Sequence, residues 1–140
     1  MAPGLPRRCR VLLLEDEPAN RALVRAIVAR AGPGRFEIRE AETLADARVT
    51  LASGSFDVIL LDVRLPDGNG LDLVAEVRDR YGPLGPMIVV MSASVLPAER
   101  TSALSAGVDG FIAKPYGSAE LVAALSAACD AGPGASGPGA

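Results

Sequence analysis

Short, nearly unbroken apolar runs recur along the chain, each followed by a longer stretch whose apolar residues fall at helical spacing. The runs at 11–14, 36–40, 58–61, 87–91 and 110–113 are the predicted strands. The first, third and fourth contain almost no polar residue, as parallel strands covered on both faces require. The second, Phe36-Glu37-Ile38-Arg39, alternates apolar with charged and reads as a strand nearer the sheet edge. Between the runs, Leu23, Val24, Ile27, Val28 and Ala31 predict one buried helical stripe, with Pro18 in the first turn and Gly32-Pro33-Gly34 ending it. Thr43-Leu44-Ala45-Asp46 resembles a capping box that opens a second helix, Asp46 standing in for Glu. Leu71, Val74, Val77 and Tyr81 define a third helix, closed by Gly82-Pro83. Pro97 starts a fourth that runs to about Gly107, and a fifth spans about 118–131 with Leu121, Val122, Leu125 and Cys129 inward.

Five βα units in succession predict an α/β fold, a (βα)5 doubly wound five-stranded parallel sheet with helices on both faces. The domain is expected over residues 9–131, after a short arm at 1–8. The Gly/Pro/Ala/Ser tail at 132–140 is expected to be disordered or to begin a linker.

Composition narrows the function classes. A net charge of −3 argues against a nucleic-acid surface, and the one basic run, Arg7, Arg8 and Arg10, reads as a solvated arm. No apolar stretch approaches the length of a membrane helix, and residues 1–6 lack the apolar run of a secretory signal. Cys9 and Cys129 have neither metal nor redox spacing, so the expectation is two reduced thiols in a reducing cytosol, with no disulfide. The absence of histidine removes Ser-His-Asp and Cys-His catalysis and imidazole metal sites. Chemistry is left to carboxylates, hydroxyls, Lys and Arg.

In open parallel sheets ligands bind beyond the carboxyl ends of the strands. Glu15, Asp16 and Glu17 follow the first predicted strand, Asp62 the third, Ser92 the fourth and Lys114-Pro115 the fifth. Neighbouring strands lie about 4.8 Å apart, so these groups can converge. Carboxylates about 4 Å apart repel by about 4 kcal/mol at an effective dielectric near 20, so such a cluster needs a cation or a shared proton. Oxygen donors without His or Cys favour a hard divalent ion, Mg²⁺ above all.

In their order, four segments resemble the receiver family of two-component signalling. They are Val11-Leu-Leu-Leu-Glu-Asp-Glu-Pro18, the segment from Val58 through Asp62 and Pro66-Asp-Gly-Asn-Gly to Leu71, Met91-Ser-Ala93, and Gly110-Phe-Ile-Ala-Lys-Pro115. The resemblance covers about residues 9–131 and implies a flavodoxin-like fold. It implies that Asp62 is the phosphoacceptor, that Asp16, Asp62 and the backbone carbonyl of Arg64 ligate Mg²⁺, and that Glu15 acts through a water on the ion. Glu15 stands where Asp is commoner in the family. Ser92 would hydrogen-bond the phosphoryl oxygen, Lys114 would pair with it, and the Lys114–Pro115 bond would be cis. Ser92 and Phe111 would form the switch, Phe111 favouring a buried orientation more than Tyr would. Arg64 and Ser94 flank the site. Asp67, in the Pro/Gly-rich loop that brings the backbone close to the site, reads as a turn or capping residue and not a ligand.

The resemblance further implies a phosphoryl donor, a histidine kinase or histidine phosphotransfer protein, and action in the cytoplasm as a monomer or phosphorylation-dependent dimer. No nucleic-acid or membrane partner is expected; output would pass through an unidentified protein or onward phosphotransfer. Two alternative functions bear on the same residues. A haloacid-dehalogenase-like phosphatase also uses an Asp nucleophile with Mg²⁺, but it needs a second acid two residues on, where Arg64 stands. A degenerate receiver that only binds protein would lack the Asp, the Lys or the hydroxyl, and all three are present.

Overall fold

The structure is a computed structural model that describes residues 8–82, 85–93 and 97–131. Five parallel strands form one sheet: β1 (Cys9–Leu14), β2 (Phe36–Ala41), β3 (Val58–Asp62), β6 (Met87–Ser92) and β7 (Gly110–Ala113), in the order β2-β1-β3-β6-β7. Two short strands missing from the sequence pattern, β4 (Arg64–Leu65) and β5 (Gly68–Asn69), pair antiparallel just after β3. The helices are α1 (Pro18–Ala31), α2 (Leu44–Ser53), α3 (Gly70–Tyr81), α4 (Pro97–Ala106) and α5 (Ser118–Ala131).

Period-two alternation splits the core in two. Val11 and Leu13 of β1 face the layer under α1 and α5, with Val24, Ile27, Leu121 and Leu125. Leu12 and Leu14 face the opposite layer under α2, α3 and α4, with Leu44, Leu73, Val74 and Ala103. All four β1 residues are fully buried, and fully burying a Leu or Val contributes about 1.5–3 kcal/mol. The charged, alternating β2 lies at the sheet edge, as its pattern predicts. Thr43 caps α2 through a hydrogen bond from Asp46 N–H to its Oγ1 at 3.0 Å.

The register aligns the strand ends. Leu14 pairs with Leu61, Asp62 with Met91, and Ser92 with Ala113, so the residues that follow emerge along one edge of the sheet.

Three expectations are corrected. Leu23 is 47% exposed and Ala31 is also exposed, because the buried face of α1 is the narrower set Val24, Ile27 and Val28. Tyr81 of α3 is 39% exposed, and Leu73, absent from the predicted stripe, is buried in its place. The helix turns Gly70, Leu73, Val74 and Val77 inward, keeping Val74 and Val77 of the predicted set and rotating the buried face toward Gly70 and Leu73. Finally, Cys9 and Cys129 form a disulfide, with Cα atoms 5.8 Å apart across 120 residues of sequence, where two free thiols were expected. Packing of α5 against the β1 face of the sheet brings the end of the helix to the start of the strand.

Among the described residues, no helix is long and apolar enough to cross a membrane. The expectations for the arm at 1–7, for Pro83, for Ser94 and for the tail at 132–140 lie outside the described residues.

Candidate functional site

Backbone pairing carries β1 one residue past its end, where Glu15 N–H donates to the Ala41 carbonyl at 3.0 Å. The chain then turns through Asp16 and Glu17 into α1, with Pro18 at the first helical position, where its missing N–H costs nothing. Glu15 is wholly buried. Its carboxylate accepts from Glu17 N–H at 3.1 Å, Asn20 Nδ2 at 3.3 Å and Lys114 Nζ at 3.1 Å. Asp62, the last residue of β3, accepts from Lys114 Nζ at 2.7 Å on Oδ2 and from Arg64 N–H at 3.1 Å on Oδ1. Lys114 follows β7; its N–H donates to the Ser92 carbonyl at 2.8 Å, and the Lys114–Pro115 bond is cis.

One oxygen from each of Glu15, Asp16 and Asp62 lies within 4.8 Å of the other two. Burial by itself would depress the Lys114 ammonium, but hydrogen bonds to Asp62 and Glu15, and their charges, outweigh it and hold its pKa above the ordinary lysine value. Three carboxylates and one ammonium, −3 and +1, leave a formal charge of −2 in a partly buried cleft. All-oxygen donors with that residual charge fit a hard divalent ion such as Mg²⁺.

Asp62, Arg64, Ser92, Phe111 and Lys114 line one cavity of about 570 Å³ that continues toward α4 between Leu71, Val90 and Ala103. Phe111 is half-buried, with the Arg100 guanidinium 5.0 Å from its ring centroid, so its open face is covered by a cation and not left bare.

The loop after β3 is held by two caps and a glycine. Asp67 accepts from Leu44 N–H at 2.8 Å and Ala45 N–H at 3.1 Å, which satisfies the first turn of α2 and keeps this acid out of the cluster, as expected. Those bonds, the Leu44 one foremost, hold the Asp67 carboxyl below its ordinary range. Asn69 caps α3 by accepting from Leu71 N–H at 2.8 Å. Gly70 passes so close that a Cβ there would collide with the Asp62 carbonyl oxygen and stand 2.8 Å from Leu61 Cδ1.

Every site residue predicted from the sequence therefore stands at this edge. Glu15, Asp16, Asp62 and Lys114 meet in the cluster; Ser92, Arg64 and Phe111 share the cavity beside it. Sequence reasoning missed Asn20, Arg21 and Tyr116. The first two sit in the first turn of α1, just after the acidic run, and that proximity was the available signal. Tyr116 lies half-buried two residues beyond Lys114, where burial pushes its phenol pKa up.

Comparison with known proteins covers most of the chain. Residues 11–126 match the response regulator receiver domain model. Over 118 residues the chain is 36% identical to the KDP operon transcriptional regulatory protein KdpE of Escherichia coli, covering 84% of this chain but 50% of that one. The chain thus spans about half the length of that relative. Over 114 residues it is 37% identical to the two-component response regulator ORR41 of Oryza sativa, covering 80% of this chain and 87% of that one. The solved structure of the chemotaxis response regulator CheY4 of Vibrio cholerae superimposes with a TM-score of 0.78 at 23% identity, over 87% of this chain and 99% of that one, a likeness of fold.

Proposed function

The chain belongs to the response regulator receiver domain family, and from that premise we propose that Asp62 is its phosphoacceptor, charged by a histidine kinase or a histidine phosphotransfer protein. The observation that carries this reading is the convergence of Glu15, Asp16 and Asp62 within 4.8 Å, with Lys114 Nζ 2.7 Å from the Asp62 carboxylate.

A carboxylate oxygen of Asp62 attacks the phosphorus of the partner's phosphohistidine; the P–N bond breaks, its electron pair returns to the imidazole, and an acyl phosphate forms. Asp16, Asp62 and the Arg64 carbonyl would hold Mg²⁺, with Glu15 acting through water. When bound, the ion neutralises charge on the transferring group. Lys114 already touches Asp62 and needs little movement to pair with the new phosphoryl oxygens. Ser92 lies along the same cavity wall and donates its hydroxyl to them. Arg64 N–H on Oδ1 holds the Asp62 carboxylate in orientation.

Transfer of Ser92 to the phosphoryl group draws the end of β6 inward, and Phe111 repacks toward the cavity it already lines. The chain acts as a monomer or phosphorylation-dependent dimer, and the cytoplasmic placement that the family implies requires the Cys9–Cys129 disulfide to persist in a reducing compartment. Its signal leaves through protein contact or onward phosphotransfer, and it assists its own phosphorylation and dephosphorylation without being a conventional enzyme. Its receiver unit is residues 9–131.

Intact mass after incubation with acetyl phosphate and Mg²⁺ tests the reading. Wild type gains one phosphoryl group and Asp62→Asn gains none; equal gain in the variant sinks the role of Asp62.

A further inference from the structure

The acidic pair beyond β1 stands on the short turn at residues 15–17, and α1 grips that turn from behind. Arg21, in the first turn of α1, keeps only 11% of its side chain exposed. Its Nη1 donates to the carbonyl oxygens of Glu15 at 2.9 Å and Asp16 at 3.1 Å. Its Nε reaches Glu40 Oε1 at 3.0 Å and its Nη2 reaches Glu42 Oε1 at 3.1 Å, at the end of β2 and just past it. Asn20, on the same helical turn, holds the Glu15 side chain. One planar guanidinium therefore ties two successive turn carbonyls to the neighbouring strand, a task its rigid fork suits and a lysine could do only in part.

Charge is not what this brace contributes. Arg25 also pairs with Glu40, at 2.5 Å, so two arginines face two glutamates and the local sum is zero. Position is what remains.

We propose that Arg21 is a positioning residue for divalent-cation binding: by clamping the Glu15 and Asp16 carbonyls against Glu40 and Glu42, it holds the two carboxylates at the separation from Asp62 that the ion requires. This inference rests on reading Glu15, Asp16 and Asp62 as the Mg²⁺-binding group. The two physical possibilities differ in sign. Were Arg21 merely a nearby positive charge, its removal would tighten Mg²⁺ binding; as a brace, its removal loosens it.

The experiment titrates Mg²⁺ calorimetrically into the full chain as wild type, Arg21→Gln, Arg21→Lys and Arg25→Gln, then measures phosphorylation by acetyl phosphate across the same Mg²⁺ range. Arg21→Gln weakens Mg²⁺ about tenfold, the lower end of the cost of losing an orienting partner outside the coordination shell. The Mg²⁺ concentration for half-maximal phosphorylation moves by the same factor, while the rate at saturating Mg²⁺ is little changed. Arg21→Lys recovers part of the affinity and Arg25→Gln matches wild type. Unchanged or tighter Mg²⁺ binding by Arg21→Gln overturns the proposal, as does an equal loss in Arg25→Gln. If Arg21→Gln does not fold, Arg21→Lys decides: weaker binding than wild type supports the brace, and wild-type binding overturns it. Wild type that binds Mg²⁺ but takes up no phosphoryl group strikes the role of Asp62 alone, whereas loss of the Arg21→Gln effect strikes this inference alone.

Discussion

Lys114→Met keeps an unbranched, flexible stem and removes the charge shared by Glu15 and Asp62, so it isolates what the ammonium does for the resting protein. At 3.1 and 2.7 Å, the two attractions come to about 5 and about 6 kcal/mol at an effective dielectric near 20, before desolvation of the lysine is subtracted. Removing one partner of a buried ion pair costs about 3–5 kcal/mol, because the charge left behind is uncompensated. Asp62 and Lys114 keep 16% and 19% of their side-chain exposure, which moves the expected loss to the lower end, about 3 kcal/mol. Glu15, at 1%, has no such relief. Urea unfolding at neutral pH in EDTA measures the loss. Saturating Mg²⁺ should restore much of it, since a ligand of the native state stabilises in proportion to RT ln(1 + [L]/Kd), and Kd tightens once the competing ammonium is gone. A variant within about 0.5 kcal/mol of wild type in EDTA, the range of an ordinary surface substitution, would refute the claim that Lys114 compensates this cluster.

Three further outcomes are expected. Asp67→Ala removes the carboxylate that caps α2; because the folded pKa of Asp67 is lowered, its contribution is fully present above the unfolded value and lost as pH falls through the folded one. The stability gap between wild type and this variant should therefore close in acid, and a gap independent of pH would remove the cap from the account. Gly70→Ala drives a methyl against the Asp62 carbonyl, costing about 1–3 kcal/mol as overpacking does and slowing phosphorylation; wild-type values on both measures would show that the loop yields freely. Reduction of Cys9–Cys129, which spans 120 residues, should lower stability by about 4–5 kcal/mol on the chain-entropy model, with Cys129→Ser matching the reduced protein. Two reactive thiols in the native, unreduced protein would contradict the bond.

Strands were legible because parallel strands buried on both faces leave continuous apolar runs, and the charged alternation of β2 marked the edge of the sheet. Helix faces were less so. In α3 the sets Leu71, Val74, Val77, Tyr81 and Gly70, Leu73, Val74, Val77 both satisfy helical spacing, and only packing chooses the second. The β4–β5 ladder is two residues per strand, too short for any periodic signal. The disulfide is invisible in the sequence because a separation of 120 residues carries no spacing signal; contact depends on where α5 ends over the sheet.

The site divides along the same line. A residue that ends or follows a strand in a parallel sheet has its place set by topology alone, so Asp16, Asp62, Ser92 and Lys114 could be assembled from strand ends without knowing a single rotamer. The wiring among those residues obeys no such rule. Lys114 and Glu15 pair across 99 residues, and Arg21 sits on a helix position that reads simply as polar. These contacts exist because charge accumulates at a topologically fixed edge and must be answered locally, by whichever cations the surrounding helices can deliver. Lys114 has three donor hydrogens and bonds both Glu15 and Asp62 in the resting state. A phosphoryl group on Asp62 would therefore meet an ammonium already held against that carboxylate, with Glu15 as its second anchor.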